Sequence, residues 1–151
     1  MASNEEVIST LNNLIETCKD GQNGFQTAAD GIKNSELKTL FHTYATQRAQ
    51  FSGEIQDEVR RLGGDPEQTG SVAAALHRGW IDIKSAVTGE DESAIINECE
   101  RGEDSAVSNY KEALAADLPA NVRSVVERQY AQVKEAHDRI SAMKKAGSAG
   151  A

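Results

Sequence analysis

The 151-residue chain has little of what interrupts or staples a fold: two Pro, two Cys, one Trp and 5% aromatic residues. Two prolines are few for a loop-rich sandwich or barrel, and they leave room for long uninterrupted helices. The cysteines, Cys18 and Cys99, stand far apart and match no CxxC or metal-ligand spacing. Both fall on apolar stripes, where a free thiol serves as a small hydrophobe, so a reduced, cytoplasmic setting is expected. The opening MASNEE has neither the basic nor the apolar region of a signal peptide. No apolar run approaches the ~18 residues of a membrane span. Positive charge is also scarce, with Lys+Arg 16 against Asp+Glu 24 and a net charge of −8. That balance argues against nucleic acid and against anionic membranes, which both require a basic footprint. What is present, 38% apolar and 26% charged residues, describes a soluble globular domain with a core of its own.

The apolar residues recur at helical spacing. In the first segment Val7, Leu11, Leu14, Cys18, Gly21, Phe25, Ala28 and Ile32 alternate gaps of four and three, a heptad seam that predicts one helix over 4–33. Ser3 and Glu6 have capping-box spacing at its start. After a turn at Asn34-Ser35, the second seam reads Leu37, Phe41, Tyr44, Arg48, Phe51, Ile55, Glu58 and Leu62, stopping at Gly63-Gly64. A third stripe, Ala73, Leu76, Trp80, Ile83 and Val87, predicts a helix near 68–88. The fourth begins behind Asp91 with Ile96, Cys99, Glu103, Ala106, Tyr110 and Leu114, and Leu118-Pro119 breaks it. The fifth carries Val122, Val126, Gln129, Val133, His137 and Ile140. A single domain over 1–146 and a disordered tail at 147–151 follow from this pattern.

Short hairpin turns make the first pair and the last pair of long helices antiparallel. A helix over 68–88 is about 30 Å long at 1.5 Å per residue, enough to travel back along the bundle. The third long helix then starts beside the start of the second. This is the single-crossover topology of ferritin-like bundles, so an all-α, ferritin-like four-helix bundle with an added crossover helix is expected.

Di-iron members of that architecture supply a Glu from each of two helices and an ExxH from each of the other two, because i and i+3 share a helix face. Three residues before His42, His77 and His137 stand Thr39, Ala74 and Lys134, so the chain has no ExxH. Counting back from the hairpins places Asp20 and Gly21 level with Arg48, and Glu100 and Glu103 level with Val133 and His137. Arg48 stands on a seam, where an unpaired charge is costly. The expectation is a buried charge cluster in which Arg48, bonded to some of Asp20, Glu100, Glu103 and Asp104, takes the place of a metal's positive charge. The plain alternative is an Arg48 that snorkels outward along its stem. A carboxylate–imidazole metal set of Glu100, Glu103 and His137 is a second alternative, suited to Zn, Fe or Mn. Against it, an acidic fourth helix packing on a basic last segment accounts for the same residues: residues 91–118 carry −6 and residues 119–151 +3. His77 and Trp80 are candidates to line a small-molecule pocket under the crossover helix, although an interfacial His next to a packed Trp is the commoner arrangement. No GxSxG, P-loop or GxGxxG is present. No cofactor is expected beyond the metal alternative.

The strings Leu76-His77-Arg78-Gly79-Trp80-Ile81 and Glu98-Cys99-Glu100-Arg101-Gly102-Glu103-Asp104 carry a resemblance, together with Tyr110-Lys111-Glu112-Ala113-Leu114. They resemble an uncharacterised family of bacterial four-helix-bundle proteins with a ferritin-like domain of unknown function. The match extends over residues 5–143 and includes Asp20-Gly21, Phe25, Arg48, Gly70-Ser71 and His137-Asp138. The resemblance implies a ferritin-like fold and a stress-associated bacterial protein, and it supplies no activity. The expectation is a non-enzymatic bundle that self-associates as a homo-oligomer, with a metal-binding or redox relative and a small-molecule-binding bundle as the competing functions.

Overall fold

The computed structural model describes residues 3–66 and 80–150, with side chains through Ala146. The helices are α1 (Asn4–Gly31), α2 (Ser35–Arg61), α3 (Ile83–Thr88), α4 (Glu92–Ala115) and α5 (Ala120–Gly150). Ser3 caps α1 by accepting from the Glu6 amide at 3.2 Å, the role its spacing predicted. Asn34 does the same for α2 through Glu36 and Leu37, and Asp91 for α4 through Ala94. α2 ends as expected at Gly63, whose φ of +85° lies in the left-handed region open to glycine. In the α3–α4 turn that conformation falls on Glu90, φ +54°, rather than on Gly89.

α1 packs along α2 and, on its other side, along α4 and α3; α5 packs on α4 and α2. Thr17 meets Asn109 and Asn34 meets Glu92, so α1 and α4 run antiparallel. Gln47 meets Gln132 and Glu54 meets Arg128, so α2 and α5 do as well. α4 therefore runs parallel to α2, the arrangement a single crossover produces. Residues 67–79 of the predicted crossover, His77 among them, lie outside the described residues. Within the described part the crossover differs from one continuous helix: Trp80–Asp82 form a turn, and only Ile83–Thr88 are helical. α5 is helical through positions 147–150, which the sequence reading assigned to a tail. Among the described residues no helix is long and apolar enough to cross a membrane.

The predicted seams form the core, with three corrections. Ile95, Ala113 and Ala136 are buried where Ile96, Leu114 and His137 were expected. Side-chain size misled the reading there: small residues suffice where helices approach closely, and in α5 Ala136 keeps the four–three alternation that His137 breaks. The core is not continuous. One apolar cluster joins Leu11, Leu14, Ile55, Val59, Val122 and Val126, and another joins Phe25, Phe41, Tyr44, Ile95 and Ile140. Polar side chains lie between them.

Candidate functional site

The boundary between the two apolar clusters is built around Arg48 of α2 and Glu103 of α4. Arg48 Nη1 donates to Glu103 Oε1 at 2.6 Å and Nη2 to Oε2 at 2.9 Å, a fork-to-fork pair. Their side chains are 2% and 0% exposed, so Arg48 does not snorkel. Gly21 of α1 makes the room: a Cβ there would stand 3.3 Å from Arg48 Cγ and Nη1. The guanidinium lies 5.4 Å from the centre of the Phe25 ring, and its Nε donates to Gln47 Oε1 at 3.3 Å. Burial opposes the charge, but Glu103 more than offsets it, so Arg48 is held above its ordinary value and stays protonated.

A hydrogen-bond chain runs alongside through all four long helices. Gln129 of α5 donates through Nε2 to the Phe51 carbonyl at 3.3 Å and to Glu54 Oε1 at 2.9 Å, both on α2. Its Oε1 is therefore an acceptor, and Tyr110 of α4 donates to it at 2.7 Å. The Tyr110 proton being committed, the thiol of Cys18 on α1 is the donor in the 3.2 Å Cys18–Tyr110 contact. Burial pushes the Cys18 thiol up to about 11 and the Tyr110 hydroxyl well above its usual value, so both remain protonated and donate in this chain. Burial likewise raises Cys99. Neither cysteine has the lowered pKa of a redox nucleophile.

The other charged candidates are directed elsewhere. Glu100 pairs with Lys144 at 2.8 Å, which holds its carboxyl below the usual range. Asp104 pairs with His137 Nε2 at 2.6 Å, and Asp138 meets Nδ1 at 3.1 Å. Burial opposes the imidazolium charge and the two carboxylates outweigh it, so His137 is raised. Asp20 is buried one residue before Gly21, while the guanidinium's bonds go to Glu103 and Gln47. Glu100, Glu103 and His137 thus have three different partners and do not converge. Among the described residues no three His, Cys, Asp or Glu side chains form a metal-ligand group. Among the described residues the central carboxylate, Glu103, is bonded to a guanidinium, and the sequence has no ExxH.

Trp80 is a wedge rather than a pocket wall. Its indole enters between Gly24 of α1 and Gly102 of α4, where a Cβ on either glycine would overlap it, and meets Phe25 edge-on at 5.0 Å. Beside it, the Asp82 amide donates to the buried Glu98 carboxylate, and Arg101 binds both Asp82 and Glu98. These contacts were not read from the sequence. Glycines in the middle of helices were the available signal, since each weakens its helix unless something must approach closely. Asp82, Ser85, Asn97, Glu98 and Arg101 line an open groove of about 480 Å³ between α3 and α4.

No curated protein matches the chain. A crystal structure of a two-domain protein from Anabaena variabilis, containing DJ-1/ThiJ/PfpI-like and ferritin-like domains, is similar with a TM-score of 0.77 at 15% identity. The likeness covers 96% of this chain and 40% of that one, so the chain spans less than half of its length. At that identity the likeness is one of fold, and the bundle is ferritin-like. Residues 6–116 match the family described as Domain of unknown function (DUF2383), and the chain belongs to it.

Proposed function

We propose that this ferritin-like bundle is a non-enzymatic protein whose centre is held by an ion pair in the position where di-iron relatives of the fold place metal. The buried, bidentate Arg48–Glu103 pair carries the reading. A guanidinium set between α1, α2 and α4 supplies fixed positive charge without redox chemistry or an open coordination position. Among the described residues beside it, the Cys18 thiol and the Tyr110 hydroxyl have their protons committed to the hydrogen-bond chain. A role in stress response belongs to the same proposal on the strength of the family resemblance, as does self-association into homo-oligomers through an exposed bundle face.

Metal analysis of protein purified without chelator tests the central claim. Substoichiometric iron, zinc and manganese are expected, unchanged in Glu103→Gln and His137→Ala. Stoichiometric metal that is lost in either variant overturns it. Light scattering gives the assembly state, where a monomer at all concentrations removes the self-association.

A further inference from the structure

The seat of Trp80 is a slot of defined chemistry. Its two walls are bare backbone, Gly24 on α1 and Gly102 on α4, set so that a methyl on either would overlap the ring. Its inner end is the edge of Phe25. Such walls suit a flat π-system, because a planar ring fits between two main chains where a branched aliphatic group collides. The indole is only partly buried, and Ile81 next to it is 64% exposed, giving the slot an apolar rim at the solvent.

The element that brings the indole there is attached to one side of the bundle. Residues 80–90 pack on α1 and α4 through Trp80, the buried Ile83 and Val87 set against Gly31. Among the described residues their polar fastenings include the Asp82–Glu98–Arg101 set and the exposed Lys33–Glu90 pair at 3.4 Å. The hydrogen bonds of the Arg48–Glu103 pair and of the Cys18–Tyr110–Gln129 chain join long helices and, among the described residues, none reaches this strap. The geometry points to a binding slot for a planar aromatic group between Gly24 and Gly102, occupied at rest by the chain's own Trp80 as an autoinhibitory strap. A ligand of this class competes with the indole and releases residues 80–90. The inference is separate from the ion-pair reading, and its failure leaves that reading untouched.

Indole is the probe. In Trp80→Ala the slot is vacant, so indole should raise Tm saturably by a few degrees, while the wild type responds far less. In the double variant W80A/G102L a side chain fills the vacancy, and the response should disappear. A folded Trp80→Ala protein with no response overturns the proposal, as does a response that persists in W80A/G102L. The wild type provides a test that needs no variant, because Trp80 is the sole tryptophan and gives a single indole N–H resonance. Titrating unlabelled indole into ¹⁵N-tryptophan-labelled protein should produce a second Trp80 indole signal, whose N–H exchanges rapidly with solvent. An unaltered signal up to the solubility limit of indole overturns the competition.

Discussion

The Arg48–Glu103 pair makes a quantitative prediction that separates a central ion pair from an incidental one. Glu103→Gln keeps the side chain's volume and removes its charge, leaving a guanidinium buried at 2% exposure without a counter-ion. Removing one partner of a buried pair costs about 3–5 kcal/mol, whereas an exposed pair is worth roughly 0–1. At about 2–4 °C per kcal/mol for a domain of this size, Tm should fall by roughly 6–20 °C. Arg48→Met, which keeps the stem and removes the charge, should cost a similar amount. The double variant Arg48→Met/Glu103→Leu should return to near wild-type stability or exceed it by about 1–4 kcal/mol, because apolar packing replaces two desolvated charges. The coupling would then be several kcal/mol, far beyond the roughly 0.3–0.5 kcal/mol scatter of independent sites. Urea unfolding followed by far-UV circular dichroism measures all four proteins, with an unchanged m-value as the check that only stability has moved. A Glu103→Gln protein within about 0.5 kcal/mol of wild type would refute the assignment of a desolvated, uncompensated charge.

Glycines should divide by what they face. Gly24→Ala forces a methyl into the Trp80 indole and should destabilise by about 1–3 kcal/mol despite the gain in helix propensity. Gly53→Ala, where nothing among the described residues lies within 4 Å of the added carbon, should stabilise by roughly 0.5–1 kcal/mol. Both are read as shifts in the urea midpoint. His137 should make stability fall with rising pH. Its folded pKa is raised above the ordinary 6.5, so its contribution is complete below that value and is lost as pH rises through the higher folded value. The decline should vanish in His137→Gln, and a matching decline in that variant would move the effect to another group.

The four long helices were legible because their seams persist for many turns and their ends carry recognisable caps. Ser3, Asn34, Asp91 and Gly63 each did locally what their residue type allows. Arg48 was legible as an anomaly, a charge standing on an apolar stripe. Its choice of Glu103 over Asp20, Glu100 and Asp104 was not. Carboxylates at neighbouring levels are separated only by which side of the helix they leave, and Lys144 and His137 of α5 had to be in place to claim Glu100 and Asp104. The wedge of Trp80 was hidden for a related reason. A glycine shows that something approaches, while the partner lies 56 residues away from Gly24 along the chain and 22 from Gly102.

The position of the polar layer gives it a purpose that its energy alone does not. A heptad seam is nearly blind to slippage, since moving one helix by seven residues lays apolar residues on apolar residues again. With two apolar clusters of that kind, many registers would have comparable burial. Arg48 breaks the degeneracy. A seven-residue shift of α1 replaces Gly21 by Leu14 or Ala28, and the guanidinium loses its space; the same shift of α2 sets Phe41 or Ile55 against Glu103. The Cys18–Tyr110–Gln129–Glu54 chain applies the constraint to α5, because one buried glutamine has to find Tyr110 and the Phe51 carbonyl at once. Each wrong register leaves a buried charge or amide unpaired, at a cost of several kcal/mol against about 1 kcal/mol for imperfect apolar packing. A metal centre imposes the same kind of register on a bundle by requiring ligands from every helix. Here six protein side chains and one carbonyl impose it, which is why the loss in Glu103→Gln should lower the stability of the whole bundle as one unit, with the m-value unchanged.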